Sequence, residues 1–300
     1  MFKATILVVG AVFVGASIQP ALGATKVPQP LSSFKGNKVV SRGLDRSAGD
    51  VRWILPGQRA LDPALFGTPA APLGFEPDVG VPVGGRLTNN DGTAFTTTAG
   101  PVPFSNRFAD VTGGYRMSVR DRTLDDDLKS KDTINFQAKL TSPDGARSYK
   151  VRVKRILPVG VLHPVFGGVG INMLHHGMTG IGTKLQPTAP TIAAFWGIGN
   201  ISVDGALSPQ GKDRLVHGMI TCSVRNENYQ LVFDSDVDCS RIHFHLFLPP
   251  FKIEKTKGGF AEVPSPVPTG FILPNGVEQP FIHGMFENIR LQMGDDNGDG

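Results

Sequence analysis

Cysteine is nearly missing from this 300-residue sequence: Cys222 and Cys239 are the only two. Neither stands in a context for nucleophilic catalysis, and none follows the apolar N-terminal run, where a lipid anchor would need one. Histidine is absent from the first 162 residues. Past the N-terminus there is no run of 18 continuous apolar residues, so no later segment reads as a membrane-spanning helix. Charged residues are only 19% and the net charge is +4, which gives composition no case for a nucleic-acid partner. Also missing are a Gly-x-Ser-x-Gly elbow, a phosphate-binding Walker loop and a dinucleotide fingerprint opening a helix.

Glycine (37) and proline (24), by contrast, are abundant. Both interrupt helices, which argues against a helical bundle. Residues 1–23 read as a secretory signal peptide: Lys3 supplies the positive start and Thr5 to Ala16 is apolar but too short to span a bilayer. Pro20 breaks the run, and Ala21-Leu22-Gly23 offers small residues for cleavage before Ala24. This places the protein outside the cytoplasm, periplasmic or extracellular. In an exported chain the two cysteines are most simply a disulfide, closing 17 positions. Strand parity puts Cys222 on the opposite face from His217, whereas Cys239 on a regular strand shares a face with His243, so a bulge or irregular entry near Ser240 is needed for the disulfide and a joint metal site to coexist.

The mature chain divides by composition. Residues 24–104 form a Pro/Gly-rich, loop-dominated segment, with Trp53-Ile54-Leu55 and Ala64-Leu65-Phe66 as apolar islands that pack on the body. Residues 105–162 contain a β-hairpin: Ile134, Phe136, Ala138 and Leu140 on one face, a turn at Pro143-Asp144-Gly145, then Tyr149, Val151 and Val153 alternating with Lys150, Arg152 and Lys154. Residues 163–292 read as a histidine-containing β domain. Its strands are expected at Ile192–Ile198, Leu215–Val224, Tyr229–Phe233 and Ile242–Leu248, followed by a long loop over Val263–Gly276 and a final strand or strand pair over Phe281–Leu291. Residues 293–300 form an acidic tail. Its Asp295, Asn297, Asp299 and Gly300 match the first half of a calcium loop, but the remaining ligands are missing, so calcium is not expected. Asp125-Asp126-Asp127 and Asn89-Asn90-Asp91-Gly92 read as solvated turns. Taken together, the pattern is mainly β: a sandwich-like fold of one large or two packed β domains. Charge is divided unevenly, with residues 1–162 at net +8 and residues 163–300 at net −4.

The histidines carry the chemistry. His243 and His245 lie in Arg241-Ile242-His243-Phe244-His245-Leu246-Phe247-Leu248, where strand alternation sends both rings to one side. Two residues along a strand span about 6.7 Å, a workable separation for two nitrogens to meet one ion. The His-Phe-His string resembles the strand ligand pair of α-type carbonic anhydrases and the His-x-His of cupins, and the likeness stops there. Three tripeptides repeat: His176-Gly177-Met178, His217-Gly218-Met219 and His283-Gly284-Met285. On a strand, such a His and Met share a face while the Gly leaves room on the other.

Imidazole with thioether is a soft donor set, favouring copper first and zinc second. The candidate ligands are His243, His245, His217, His176, His283 and Met285. The order His-His, single His, His-x-His, His-x-Met resembles that of the copper monooxygenases that hydroxylate peptidyl-glycine. That resemblance is one of ligand type, because the spacings here are compressed and that family is rich in disulfides. The expected function is therefore an exported β-rich metal-binding protein, its reaction unassigned. The competing reading is a non-catalytic exported β-module for surface or protein interaction, with dispersed structural histidines.

Overall fold

In the computed structural model, residues 36–73, 81–122, 130–158, 167–257 and 259–294 are described. The expected signal peptide, the Asp125–Asp127 run, His163 and the calcium-like tail residues 295–300 fall outside them.

The strands are β1 (Lys38–Leu44), β2 (Val51–Ile54), β3 (Arg86–Thr88), β4 (Phe95–Thr98), β5 (Phe108–Asp110), β6 (Gly113–Arg120), β7 (Thr133–Thr141) and β8 (Ser148–Ile156). They continue as β9 (Val169–His175), β10 (Ala189–Val203), β11 (Arg214–Ser223), β12 (Asp238–Leu248), β13 (Phe251–Thr256), β14 (Gly259–Pro264), β15 (Ile282–Phe286) and β16 (Arg290–Gly294). Helix is confined to short turns such as α1 (Pro63–Phe66), capped by the Asp62 carboxylate on the Ala64 N–H. The fold is mainly β, as the sequence pattern predicts.

One large antiparallel sheet runs in the order β16-β1-β6-β7-β8-β10-β11-β12-β15-β2-β5, with β9 pairing β10 and β13 pairing both β11 and β14. The sheet curls until its two ends share one interior. Tyr115 of β6 stacks on Phe244 of β12 at 4.1 Å and meets Phe286 of β15 at 5.0 Å. Trp53 of β2 lies 5.3 Å from Tyr149 of β8. The alternation noted in the hairpin explains this geometry: Ile134, Phe136, Ala138, Leu140, Tyr149, Val151 and Val153 are all buried in that common core. Gly218 is required there, since a Cβ would strike the Phe195 ring and stand 2.9 Å from Phe244.

In the N-terminal segment, Trp53 and Ile54 are buried in β2, and Leu65 and Phe66 in α1. Buried arginines tie this segment down. Arg59 donates to the carbonyls of Leu185, Leu231 and Val232, and Arg225 donates to those of Ser105 and Tyr229.

Two element expectations are corrected. Tyr229–Phe233 is not a strand: Tyr229 has φ +62° and only Leu231 makes an isolated bridge, to Arg225. Buried Arg225 captures the Tyr229 carbonyl, so the chain follows the guanidinium rather than a ladder. The loop expected over Val263–Gly276 begins later, since Val263 and Pro264 belong to edge strand β14. The terminal strand pair exists but divides its partners: β15 joins β12 and β2, while β16 joins β1.

The disulfide forms, with Cα atoms 4.5 Å apart, well inside the reach of such a bridge. The expected irregularity is there too. Cys222 pairs with Ile242, but the next residue, Ser223, pairs with Asp238, so Cys239, Ser240 and Arg241 bulge out of the ladder. The bulge lies before Ile242, so the disulfide coexists with the common face that alternation gives His243 and His245.

A buried histidine face

Strands β10, β11, β12 and β15 turn one side to the common core and the other to a second, histidine-bearing layer. Phe195, Val216, Ile220, Phe244, Leu246 and Phe286 point into the core. Trp196, His217, Met219, His243, His245, His283 and Met285 alternate with them, so parity sends these to the opposite side. His175 at the end of β9 and His176 just beyond it join this layer: their rings stack at 3.9 Å, and His175 lies 5.1 Å from the His217 ring. All six described histidines are therefore gathered on one face, although no two of His176, His217, His245 and His283 are near in sequence.

They form two groups. In the first, His175, His176 and His217 offer nitrogens that lie within 4.8 Å of one another, close enough to hold a metal ion. His217 belongs to this set and stacks on Trp196 at 4.8 Å. In the second, His243 and His245 lie 4.5 Å apart and His283 is 5.9 Å from His245. His245 is flanked in register by two buried thioether residues, Met219 on β11 and Met285 on β15. The His217 and His283 tripeptides thus place His and Met on one strand face, as expected. The His176 tripeptide does not: it lies in a turn, and Met178 is 63% exposed.

Among the described residues, almost no polar group satisfies these rings. Both nitrogens of His175, His243 and His245 are buried without a hydrogen bond, as are Nε2 of His176, His217 and His283. The partners that exist are orienting ones. Nδ1 of His217 donates to the Phe195 carbonyl and Nδ1 of His283 to the Pro103 carbonyl, each at 2.9 Å, which leaves the Nε2 lone pairs free for a ligand bond. Nδ1 of His176 instead accepts the Thr183 N–H at 3.1 Å. Glu287, held by the Tyr229 hydroxyl at 2.9 Å, approaches Nδ1 of His243 at 3.7 Å, a charge contact longer than a hydrogen bond.

Burial favours the neutral form, the one that binds metal, at His175, His176, His217, His245 and His283. It pushes His217 down to about 4 and His283 to about 3, against their carbonyl hydrogen bonds. His175, His176 and His245 are driven well below the ordinary imidazole range, by burial first and then by neighbouring histidines. Burial raises the Glu287 carboxyl, but contacts with His243, Tyr229 and Arg52 outweigh it and hold the group below its usual value.

The turn that delivers His176 is strained. His176 has φ +63° and ψ −171°, and Gly177 follows at φ +54° with no room for a Cβ against Thr188. Backbone bonds from His176 to Ile181 at 2.8 Å and from Gly177 to Thr183 at 3.4 Å hold it. The turn folds Gly182 over the first group. A Cβ at Gly182 would stand 2.5 Å from His176 Nδ1 and 2.9 Å from His175 Nε2. Only a glycine at 182 therefore leaves room for the two stacked rings.

His175 was missed by ligand reasoning from the sequence. Its signal was adjacency to His176, but neighbours on a regular strand point to opposite faces. Only the positive-φ turn lets both rings stack on the same side.

No protein family, curated protein or solved structure matches this chain. Among the described residues no helix is long and apolar enough to cross a membrane.

Proposed function

We propose that this is an exported copper-binding protein, with zinc as the second choice, that holds ions on its buried histidine face. His175, His176 and His217 form an imidazole-only site. His243, His245 and Met285, with His283 beside them, form a mixed imidazole and thioether site. The observation that carries this reading is the set of unsatisfied ring nitrogens: each of the six buried histidines has at least one. Leaving buried polar groups unpaired destabilises a fold by about 1–3 kcal/mol each, and coordination relieves one nitrogen of each ring. Thioether beside imidazole favours copper, because sulfur stabilises Cu(I) better than it does harder ions.

Export is supported by the disulfide, which persists in oxidising compartments, and by the signal-peptide reading of residues 1–23. Two unlike copper sites on one sheet face suit electron transfer or oxygen chemistry better than storage. The structural-histidine alternative requires dispersed rings, and these are gathered.

The deciding experiment is elemental analysis of protein purified from an oxidising compartment without chelator. Stoichiometric copper or zinc is expected. No stoichiometric transition metal, with no uptake from added Cu(I), Cu(II) or Zn(II), overturns the reading.

A further inference from the structure

The strands that carry the hairpin present their outer face to solvent, and the charged residues at its outward positions are all basic. Ladder register aligns six residues in one row across six strands: Arg290 of β16, Arg42 of β1, Arg116 of β6, Gln137 of β7, Arg152 of β8 and Asn200 of β10. All four arginines are exposed, and none forms an ion pair among the described residues. Three of them, Arg290, Arg42 and Arg116, stand directly opposite one another, an arrangement that destabilises a sheet through like-charge repulsion. The next row on the same face places Lys139 opposite Lys150. No Asp or Glu occupies an outward position of β1, β6, β7, β8 or β16. An open depression of about 1010 Å³ lies on this face, lined by Arg42, Arg116, Arg290, Asn135, Gln137 and Gln292 among others.

We infer that this face binds a linear acidic polysaccharide, a chain bearing carboxylate or sulfate groups. Arginine forks pair bidentately with such groups, and the interleaved amides of Asn and Gln suit sugar hydroxyls as donors and acceptors. Adjacent strands set the arginines about 4.8 Å apart, on the order of one pyranose unit. The face carries no aromatic side chain on which nucleic-acid bases could stack. It also lacks the bulky apolar stripe of a membrane-seated surface: its exposed apolar residues are Val40 and Leu44, at 37% and 42%. This surface lies on the opposite side of the core from the buried histidines and stands or falls apart from them.

The test uses the full exported chain and immobilised polygalacturonate at about 0.15 M salt, the ionic strength at which long-range charge effects are already screened. Wild-type protein should bind, and affinity should fall as salt rises. The Arg42→Gln/Arg116→Gln/Arg290→Gln variant should bind at least about tenfold more weakly, since each lost charged hydrogen bond weakens an interface appreciably. Its metal content should be unchanged and its melting temperature not lowered. A control of equal charge loss, Lys212→Gln/Lys255→Gln/Lys257→Gln, should bind like wild type. The inference is overturned by no wild-type binding, by equal loss in the control, or by tighter binding to phosphatidylglycerol vesicles or duplex DNA than to the polyuronate.

Discussion

At the scale of single residues the histidine face depends on glycine as much as on histidine. Gly182 and Gly180 sit close together in the chain with nearly the same φ, +75° and +73°. A side chain at either position is strained by about 1 kcal/mol or more. Only at Gly182 would the new methyl group enter the space held by the His175 and His176 rings and push them apart; at Gly180 nothing lies within 4 Å. Gly180→Ala should therefore lower the melting temperature slightly and leave metal content intact. Gly182→Ala should lower it more and abolish metal uptake by the His175, His176 and His217 group. Metal analysis of the two variants side by side separates occupancy of the space from backbone strain. Equal metal content in both would remove the ion from this turn. Arg225 shows the same dependence of chemistry on local packing: fully buried, its guanidinium is pushed down to about 10 by burial first, and its carbonyl partners bend the chain away from the strand that Tyr229–Phe233 otherwise resembles.

Strand β12 joins the disulfide to the histidine pair and shows how much of an element is legible in sequence. Alternation alone places His243 and His245 on one face and Phe244 and Leu246 on the other, because the period-2 geometry of a strand leaves no choice. The need for a bulge near Ser240 follows from the same parity, and Cys239 to Arg241 supply it. Where the face meets another chain segment, however, parity says nothing. That His217 joins His175 and His176 rather than its neighbours on β12 depends on β9 pairing β10 and on the turn at His176, both tertiary facts. The bridge closes a loop of 17 positions and ties β11 to the start of β12. Cys222→Ala/Cys239→Ala should lose about 3 kcal/mol in denaturant unfolding. The register from Ile242 onward is held by five further ladder pairs, Thr221 to His217, so metal content should survive. A variant as stable as wild type would show that the bridge constrains nothing that the ladder does not already hold.

Over the whole molecule the curled sheet separates three environments: an apolar interior, a buried polar-lined layer and a basic outer face. The mainly β character and the gathering of histidines in the second half could be read directly, since glycine, proline and alternation report local geometry. The curl that brings Tyr115 onto Phe244 could not, because it depends on partners more than 100 positions apart. The layer's energetics yield the last prediction. In the metal-free protein the unpaired ring nitrogens are a net burden, so removing one ring mainly exchanges that burden for a cavity. His217→Ala and His243→Ala should each change the metal-free melting temperature little. With ion bound only by the folded state, stability rises by about 2.7 kcal/mol at a free concentration near 100 times the dissociation constant. For a domain of this size that is roughly 5–10 °C in melting temperature. Wild-type protein should show this rise with copper and lose it to a chelator. His217→Ala should lose the equivalent held by the imidazole-only group and His243→Ala the one held by the mixed group, each keeping part of the rise. Differential scanning calorimetry with parallel metal analysis reads both quantities. If either substitution removes all bound metal, the two groups form a single site; if copper leaves the wild-type melting temperature unmoved, the histidines are structural.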